Sequence, residues 1–481
     1  MLERGLLPTF SAAASAELQT MPAVASRDGG GDAAEIRDLT DVIWASIDND
    51  DSRDLDQLTV ADTLTGDTDR IRVAIADVDA LVKAGSAIDA HARHNTTSVY
   101  TAAEVFPMLP EQLSTNRTSL NAGEDRLAVV VDMVIGADGS VLSSEIYRAR
   151  VRNHAKLAYN SVAAWLDGRG AEPQATTAID GLAENLRLQD RVARRLRERR
   201  HINGALSLET IQSRPLFDGD QLHDLTVETT NRAKQLIEDF MIAANGVAAR
   251  YLTAHRFPSI RRVVRTPKRW DRIVGLALEH GFKLPDAPDS TALDKFLVTQ
   301  SAADPRRFAD LSLAVIKLLG AGEYVAEPAE AAAPGHFGLA VRDYTHSTAP
   351  NRRYPDLFTQ RLLKAAMARR TPPYSFAEQE VLAKHFTEAE DAANKVERQV
   401  AKSAAALLFE SRIGEQFAAL VTGASAKGTW ARLLTMPVEG RVVDGFEGAD
   451  VGDQIRVRLT SVDVERGFID FSRVDAVPTG R

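Results

Sequence analysis

Five aspartates, Asp48, Asp50, Asp51, Asp54 and Asp56, fall within nine positions in the stretch Ile47-Asp48-Asn49-Asp50-Asp51-Ser52-Arg53-Asp54-Leu55-Asp56-Gln57. No other stretch of the chain concentrates acid in this way. Carboxylates so close repel one another, and their pKa values rise unless a cation sits among them. Hard divalent cations such as Mg²⁺ take oxygen ligands, usually a few carboxylates together with a substrate's phosphate. A calcium loop is a second candidate, because Asp48, Asp50, Ser52, Asp54 and Asp56 would fill alternate positions of an EF-hand. It fails where the sixth position needs glycine and carries Arg53, and where the twelfth needs a bidentate glutamate and carries Thr59. A strand before the loop is also wrong for a helix-loop-helix. A solvated acidic loop stays open on composition alone.

The elements that must position these acids can be read outward from them. Trp44-Ala45-Ser46-Ile47 reads as a short buried strand leading into the loop. Residues 38–160 read mainly as strands. Ile71, Val73 and Ile75 alternate with Arg72 and Ala74, and Leu127, Val129, Val131 and Met133 alternate likewise, giving one buried face each. Asp138-Gly139 is a hairpin signal between two such runs. From Lys156 to about Leu319 helices are expected. Ile179, Leu182, Leu186, Leu188, Val192 and Leu196 recur mostly at helical spacing. Arg191, Arg194, Arg195, Arg197, Arg199 and Arg200 therefore sit on a helix, either as a solvated face or as a wall toward a polyanion. Between about Asn231 and Leu252, Asn231, Glu238 and Asn245 share one stripe beside Ile237, Met241 and Ala244. An acid on a partly apolar stripe is paired with an arginine or functional. Ser375-Phe376-Ala377-Glu378 is a capping box opening a long helix over 376–412. From about 415 to 475 short alternating strands follow, among them Lys427 to Leu433 and Ile455 to Leu459.

Composition sets bounds. The chain has 481 residues, enough for two or three domains, and its 44% hydrophobic and 26% charged residues are those of a normal soluble globular protein. It has no cysteine, which excludes a thiolate nucleophile, a zinc–thiolate site and disulfides, and fits a cytoplasmic location. The first residues lack the charged and apolar segments of a signal peptide, and no uncharged apolar run reaches the ~18 residues of a membrane span. A net charge of −9 argues only weakly against a nucleic-acid partner, since a channel can be basic inside an acidic protein. Residues 1–37 are poor in large apolar groups and contain Gly29-Gly30-Gly31; one or two short helices, Phe10 to Leu18 first among them, and a linker are expected.

Ile-Asp-x-x-x-x-Arg-Asp-x-Asp at residues 47–56 resembles the signature of the ribonuclease II / ribonuclease R exoribonucleases, the RNB family. Further matches follow in the family's order: Ile75-Ala76-Asp77-Val78, Thr97-Ser98-Val99-Tyr100, Pro107-Met108-Leu109-Pro110 and Leu236 to Met241. They continue in His336-Phe337-Gly338-Leu339, Tyr344-Thr345-His346 and Arg352-Arg353-Tyr354-Pro355-Asp356-Leu357. The resemblance covers about residues 38–475. It implies an α+β architecture: an RNB catalytic domain over 38–412, with a mixed sheet, surrounding helices and an RNA channel, then an S1-like OB-fold barrel over 413–475 and a tail over 476–481. Residues 1–37 are too short for even one of the N-terminal cold-shock-type barrels usual in the family.

The same resemblance implies the roles. Asp48, Asp54 and Asp56 would hold one or two Mg²⁺ ions, and Arg352 would meet charge building on the phosphoryl oxygens. Tyr100 would clamp the terminal base, Tyr159 and Glu238 would hold the terminal ribose, and Glu397 would line the site. Arg353 is either a further RNA contact or structural. In the barrel, Trp430 would stack on a base, with Arg432, Arg456 and Arg458 as electrostatic support. The implied activity is processive 3′-to-5′ hydrolysis of single-stranded RNA to 5′-monophosphates by a monomer. Three departures stand out. Gln57 replaces an expected aspartate and offers the metal only an amide oxygen; Leu208 stands where an aromatic often stacks on RNA; and Thr348-Ala349-Pro350-Asn351 replaces a more usual Thr-Ser-Pro-Ile. Gln57 motivates the alternative of a catalytically silent RNA-binding protein, and a DNA exonuclease is a third reading.

Overall fold

The alternating apolar runs of the N-terminal half close on themselves. In a computed structural model, which describes residues 1–22, 36–209, 212–218, 221–228, 230–330, 335–425, 428–450 and 453–474, strands β1 (Ile36–Asp48), β2 (Gln57–Thr63), β3 (Asp69–Ala76), β4 (Asp125–Ile135) and β5 (Val141–Ala158) form a closed barrel. Of the side chains in 212–218 and 221–228 nothing is described. The glycine-rich linker at 29–31, Lys427 and the tail 476–481 lie outside the described residues. Neighbouring strands run antiparallel except at the seam, where β1 and β5 pair in parallel from Ile36 beside Arg148 to Asp48 beside Ala158. The expected mixed sheet is thus this barrel. Ile71, Val73, Ile75, Val129, Val131 and Met133 fill the core with Trp44, whose indole N–H donates to the Leu39 carbonyl at 3.0 Å. The Asp138-Gly139 turn joins β4 to β5, and Gly139 takes a φ of 76° that favours glycine.

Two long helices, α1 (Leu182–Ile202) and α2 (Arg232–Ala254), pack on the strands of this barrel, and α3 (Tyr354–Met367) and α4 (Phe376–Phe409) extend its core cluster beyond them. The capping box opens α4 as its sequence predicts, with Ser375 and Glu378 exchanging hydrogen bonds. The helical reading of 156–319 needs three corrections. Strand β5 runs on to Ala158, a hairpin pairs Gln212–Asp218 with Gln221–Glu228, and Ser259–Val263 pairs with Glu323–Glu327. After a 3-10 turn at Leu2–Arg4, the first α-helix among the described residues spans Ala12–Thr20, starting two residues after the expected Phe10. Asn231 is not a stripe residue but the N-cap of α2, accepting from the Lys234 N–H at 2.9 Å.

A buried set of charges ties barrel to helices. Asp77, just past β3, takes two bonds from Arg148 of β5 and one at 2.9 Å from Lys364 of α3. Lys364 also donates to Asp79 at 2.7 Å, and Arg361 joins Asp79 and Asp89 at 3.0 and 2.8 Å. Three acids meet three bases, so the cluster is neutral, and pairing is what allows such groups inside. It fixes α3, and with it the loop carrying Arg352, against the barrel end carrying Asp48 and Asp56.

The C-terminal strands β6 (Gln416–Ser425), β7 (Gly428–Leu433), β8 (Glu439–Asp444), β9 (Gln454–Asp463) and β10 (Phe468–Arg473) form a second closed barrel in the order β6-β7-β8-β10-β9. Its core packs against Ala405, Ala406 and Phe409 at the end of α4. No helix among the described residues is long and apolar enough to cross a membrane.

Candidate active site

The acidic stretch is the connection between β1 and β2. Asp48 is the last residue of β1, and Asp54 and Asp56 lie just before β2. Backbone and side-chain bonds hold the loop open. The Ala76 N–H donates to the Asp56 carbonyl at 2.9 Å, the Leu55 N–H to Ser119 Oγ at 2.9 Å, and Ser119 Oγ to the Arg53 carbonyl at 3.0 Å. Lys156 Nζ reaches the Ser52 carbonyl at 2.5 Å. Asp50 and Asp51 stay exposed at the tip.

Asp56 is the buried member, 2% exposed. One carboxylate oxygen accepts the Asn351 N–H at 2.8 Å; the other has no hydrogen bond among the described residues and meets only Arg352 Nε at 3.5 Å. Burial pushes the Asp56 carboxyl up to about 8, against the opposing pull of Arg352 and with a further push from Asp54. Burial raises the Asp48 carboxyl as well, with Asp54 again adding to the shift and Arg352 opposing it. Three expected metal-site acids and the expected arginine therefore feel one another's charge. As their side chains stand, no group of three or more such residues converges on one point among the described residues.

Tyr100 and Glu397 join this centre. The Tyr100 hydroxyl donates to Asp54 at 3.0 Å, and its backbone N–H donates to Glu397 at 2.8 Å. The Ser98 N–H bonds the Arg352 carbonyl at 2.9 Å, so Tyr100 and Arg352 are carried on strapped-together segments. Behind this wall Leu6, Val99, Ala389, Ala393 and Val396 form a small apolar cluster, which puts the N-terminal segment directly beneath Tyr100 and Glu397. Tyr100 is 43% exposed, yet protein on several sides and the Asp54 charge hold its hydroxyl protonated.

Tyr159 opens the helix that follows β5, one residue past the Ala158 that pairs with Asp48. The Lys234 ammonium stands 6.0 Å from its ring centroid. Glu238 is one turn further along α2, on the same side, exposed but flanked closely enough by protein that desolvation raises its carboxyl.

Other expected residues lie elsewhere. Arg353 is turned inward, 2.8 Å from buried Asp356, which also accepts the N–H groups of Thr348 and Ala349. Leu208 packs, half-buried, on the cluster of Trp270, Phe296 and Phe308. Gln57 is the first residue of β2, half-buried beside Ile75. In the arginine run, Arg194 pairs with Asp190, Arg195 with Asp69, Arg199 with Asp138, and both Arg197 and Arg200 with Asp239. Five of the six are thus ion-paired to acids on or beside this helix. On the second barrel Trp430 lies on the outer face of β7, half-exposed over Gly423 and Gly428 rather than in the core. Arg456 and Arg458 are exposed, while Arg432 is spent on Asp310 at 2.9 Å. Sequence reasoning missed the backbone donor of Asn351, the prop Ser119 and the lysine Lys156, none of which carries a pattern; only the acidic loop's need for donors could have pointed to them.

Comparisons with known proteins agree with this two-barrel architecture. The RNB domain model matches residues 36–369, and the model of the RNase II-type exonuclease C-terminal S1 domain matches 415–474. The chain is 29% identical to ribonuclease R of Escherichia coli over 474 residues, and 28% identical to ribonuclease R of Aquifex aeolicus over 469. Both alignments take in 91% of this chain, but the chain spans only 57% and 65% of those relatives. Among solved structures, Mycoplasma genitalium RNase R in complex with ribose methylated single-stranded RNA superposes with a TM-score of 0.87 at 22% identity, over 98% of this chain and 77% of that one. Yeast Ssd1, described as a pseudonuclease, superposes with a TM-score of 0.68 at 15% identity, over 85% and 50%. With more than half its length matched by the family model and a second barrel matched by the domain that accompanies it, the chain belongs to the RNB family.

Proposed function

We propose that the protein is a Mg²⁺-dependent exoribonuclease that hydrolyses single-stranded RNA processively from its 3′ end and releases 5′-monophosphates. The observation that carries this is a buried Asp56 carboxylate oxygen with no hydrogen-bond donor among the described residues, facing Arg352 and within the influence of Asp54 on the same acidic loop as Asp48. The donor set suits a hard cation, since every candidate ligand is an oxygen. A buried carboxyl held near 8 favours its charged form only when positive charge arrives. Mg²⁺ is commonly bound through one or two carboxylates plus substrate phosphate, so a preformed cage of three is not required. Held by Asp48, Asp54 and Asp56, with the Gln57 amide as a weaker neighbour, it would lower the pKa of an attacking water and screen the leaving oxygen.

The chain's own residues do the rest. Arg352 offers its guanidinium to the phosphoryl oxygens. Tyr100 presents a ring to the terminal base while its backbone N–H rests on Glu397. Glu238 and Tyr159 address the terminal ribose, where a contact to the 2′-hydroxyl selects RNA over DNA. Trp430, Arg456 and Arg458 offer a stacking platform and charge to the incoming strand. We take the enzyme to be a cytoplasmic monomer, which light scattering on the purified protein checks.

The test uses a 5′-labelled oligoribonucleotide with Mg²⁺. Loss of the full-length strand to short 5′-labelled product is expected from the parent, and none from Asp56→Asn, which keeps RNA binding. The rival is a silent RNA-binding protein on the same scaffold, motivated by Gln57 and by the structural likeness to a protein described as a pseudonuclease. A substrate left full-length by the parent establishes that rival, and equal cutting of a deoxy substrate establishes a DNA exonuclease.

A further inference from the structure

Away from the acids, a cavity of about 570 Å³ opens between the β4–β5 turn, the last turns of α1 and one face of α2. Four guanidinium groups line it, Arg199, Arg200, Arg250 and Arg342, against two carboxylates, Asp239 and Asp343. Asp239 is already neutralised by Arg197 and Arg200, and Arg199 is engaged by Asp138. Arg250 and Arg342 make no hydrogen bond or ion pair among the described residues. Burial works against the charged form of Arg250, and only the charge of Asp343 is set against that cost. Gly246 leaves the Arg250 guanidinium its room, since a Cβ there would come within 3.2 Å of Nη1. The β4–β5 side of the lining brings Leu142, 59% exposed, together with Ser140, Ser143 and Ser144, while Leu196 and Ile242 are almost fully buried in the cavity floor.

Two guanidinium groups without a hydrogen-bonded partner and, in the same cavity, the exposed aliphatic face of Leu142 suit a ligand with an anionic end and an apolar body. We propose that this cavity binds a nucleoside monophosphate, with its phosphate on Arg250 and Arg342 and its base against Leu142. An extended polyanion fits less well, because the recess supplies only two unengaged guanidinium groups, with the Asp343 carboxylate beside them.

Calorimetry in EDTA tests this with the full chain carrying Arg352→Ala, which strips the acid centre of its guanidinium. Saturable 5′-AMP binding is expected, weakened at least tenfold by adding Arg250→Ala and Arg342→Ala, and similarly by adding Leu142→Glu. Adenosine should bind at least tenfold more weakly than 5′-AMP, and inorganic phosphate should compete with it. Unchanged affinity in the double arginine variant, no saturable binding, or adenosine binding as well as 5′-AMP each overturns the site. Phosphate binding as tightly as 5′-AMP overturns its nucleotide character. Hydrolysis of labelled RNA by Arg250→Ala/Arg342→Ala is expected at the parent's rate, so failure of this site and failure of the exoribonuclease reading show up in separate assays.

Discussion

Asp56 shows how one side chain can be both a liability and a tool. Its folded pKa, about 8, lies above the ordinary 3.8. Between those values the unfolded chain has released a proton that the folded chain still holds, so stability falls as pH rises through that window. Asp56→Asn removes the slope. In metal-free buffer the variant's Tm should therefore gain on the parent's by several degrees between pH 5 and pH 8, and Mg²⁺ added at pH 8 should close the gap; a constant gap contradicts the assignment. Arg352, 3.5 Å away, is the only cation on that oxygen among the described residues. Arg352→Ala is expected to lower kcat by about 10²–10³-fold while RNA affinity in EDTA changes far less, as single-turnover kinetics and binding titrations would show. These two residues were legible in the sequence because acid density and a named motif both marked them. Arg353 carried the same motif yet turns inward to Asp356, since no pattern along the chain distinguishes a guanidinium facing substrate from one completing a buried pair.

At the level of elements, the strands were legible wherever one face alone meets solvent, as in Ile71-Val73-Ile75. The hairpin of 212–228 was lost among helical expectations although Gly219-Asp220 stands between its strands in the sequence. The arrangement of α3 against the barrel was not legible at all, because it rests on Asp77, Asp79, Asp89, Arg148, Arg361 and Lys364, which are scattered over 288 positions of sequence and become a unit only when folded. Removing one member leaves its partners charged in a dry interior. Lys364→Met, which leaves Asp77 and Asp79 short of a cation, should cost about 3–5 kcal/mol, read as a lower urea midpoint. A change below 1 kcal/mol would mean that water reaches this cluster.

Across the whole molecule, two closed barrels are separated by the work they offer: the first encloses its core and bears acids at one end, and the second turns Trp430 outward. Trp430→Ala should weaken binding of a single-stranded oligoribonucleotide by about 1–3 kcal/mol and leave turnover on saturating RNA unchanged; an equal loss of turnover would place the indole in the catalytic path. The neutral cluster under α3 has one more consequence. Mobile ions cannot enter it, whereas Arg456 and Arg458 stand in their midst. With the proposed roles, rising ionic strength should loosen the grip on the strand and spare the frame that holds the reacting groups, so activity slowed by brine should recover its full pace once supplied with enough substrate.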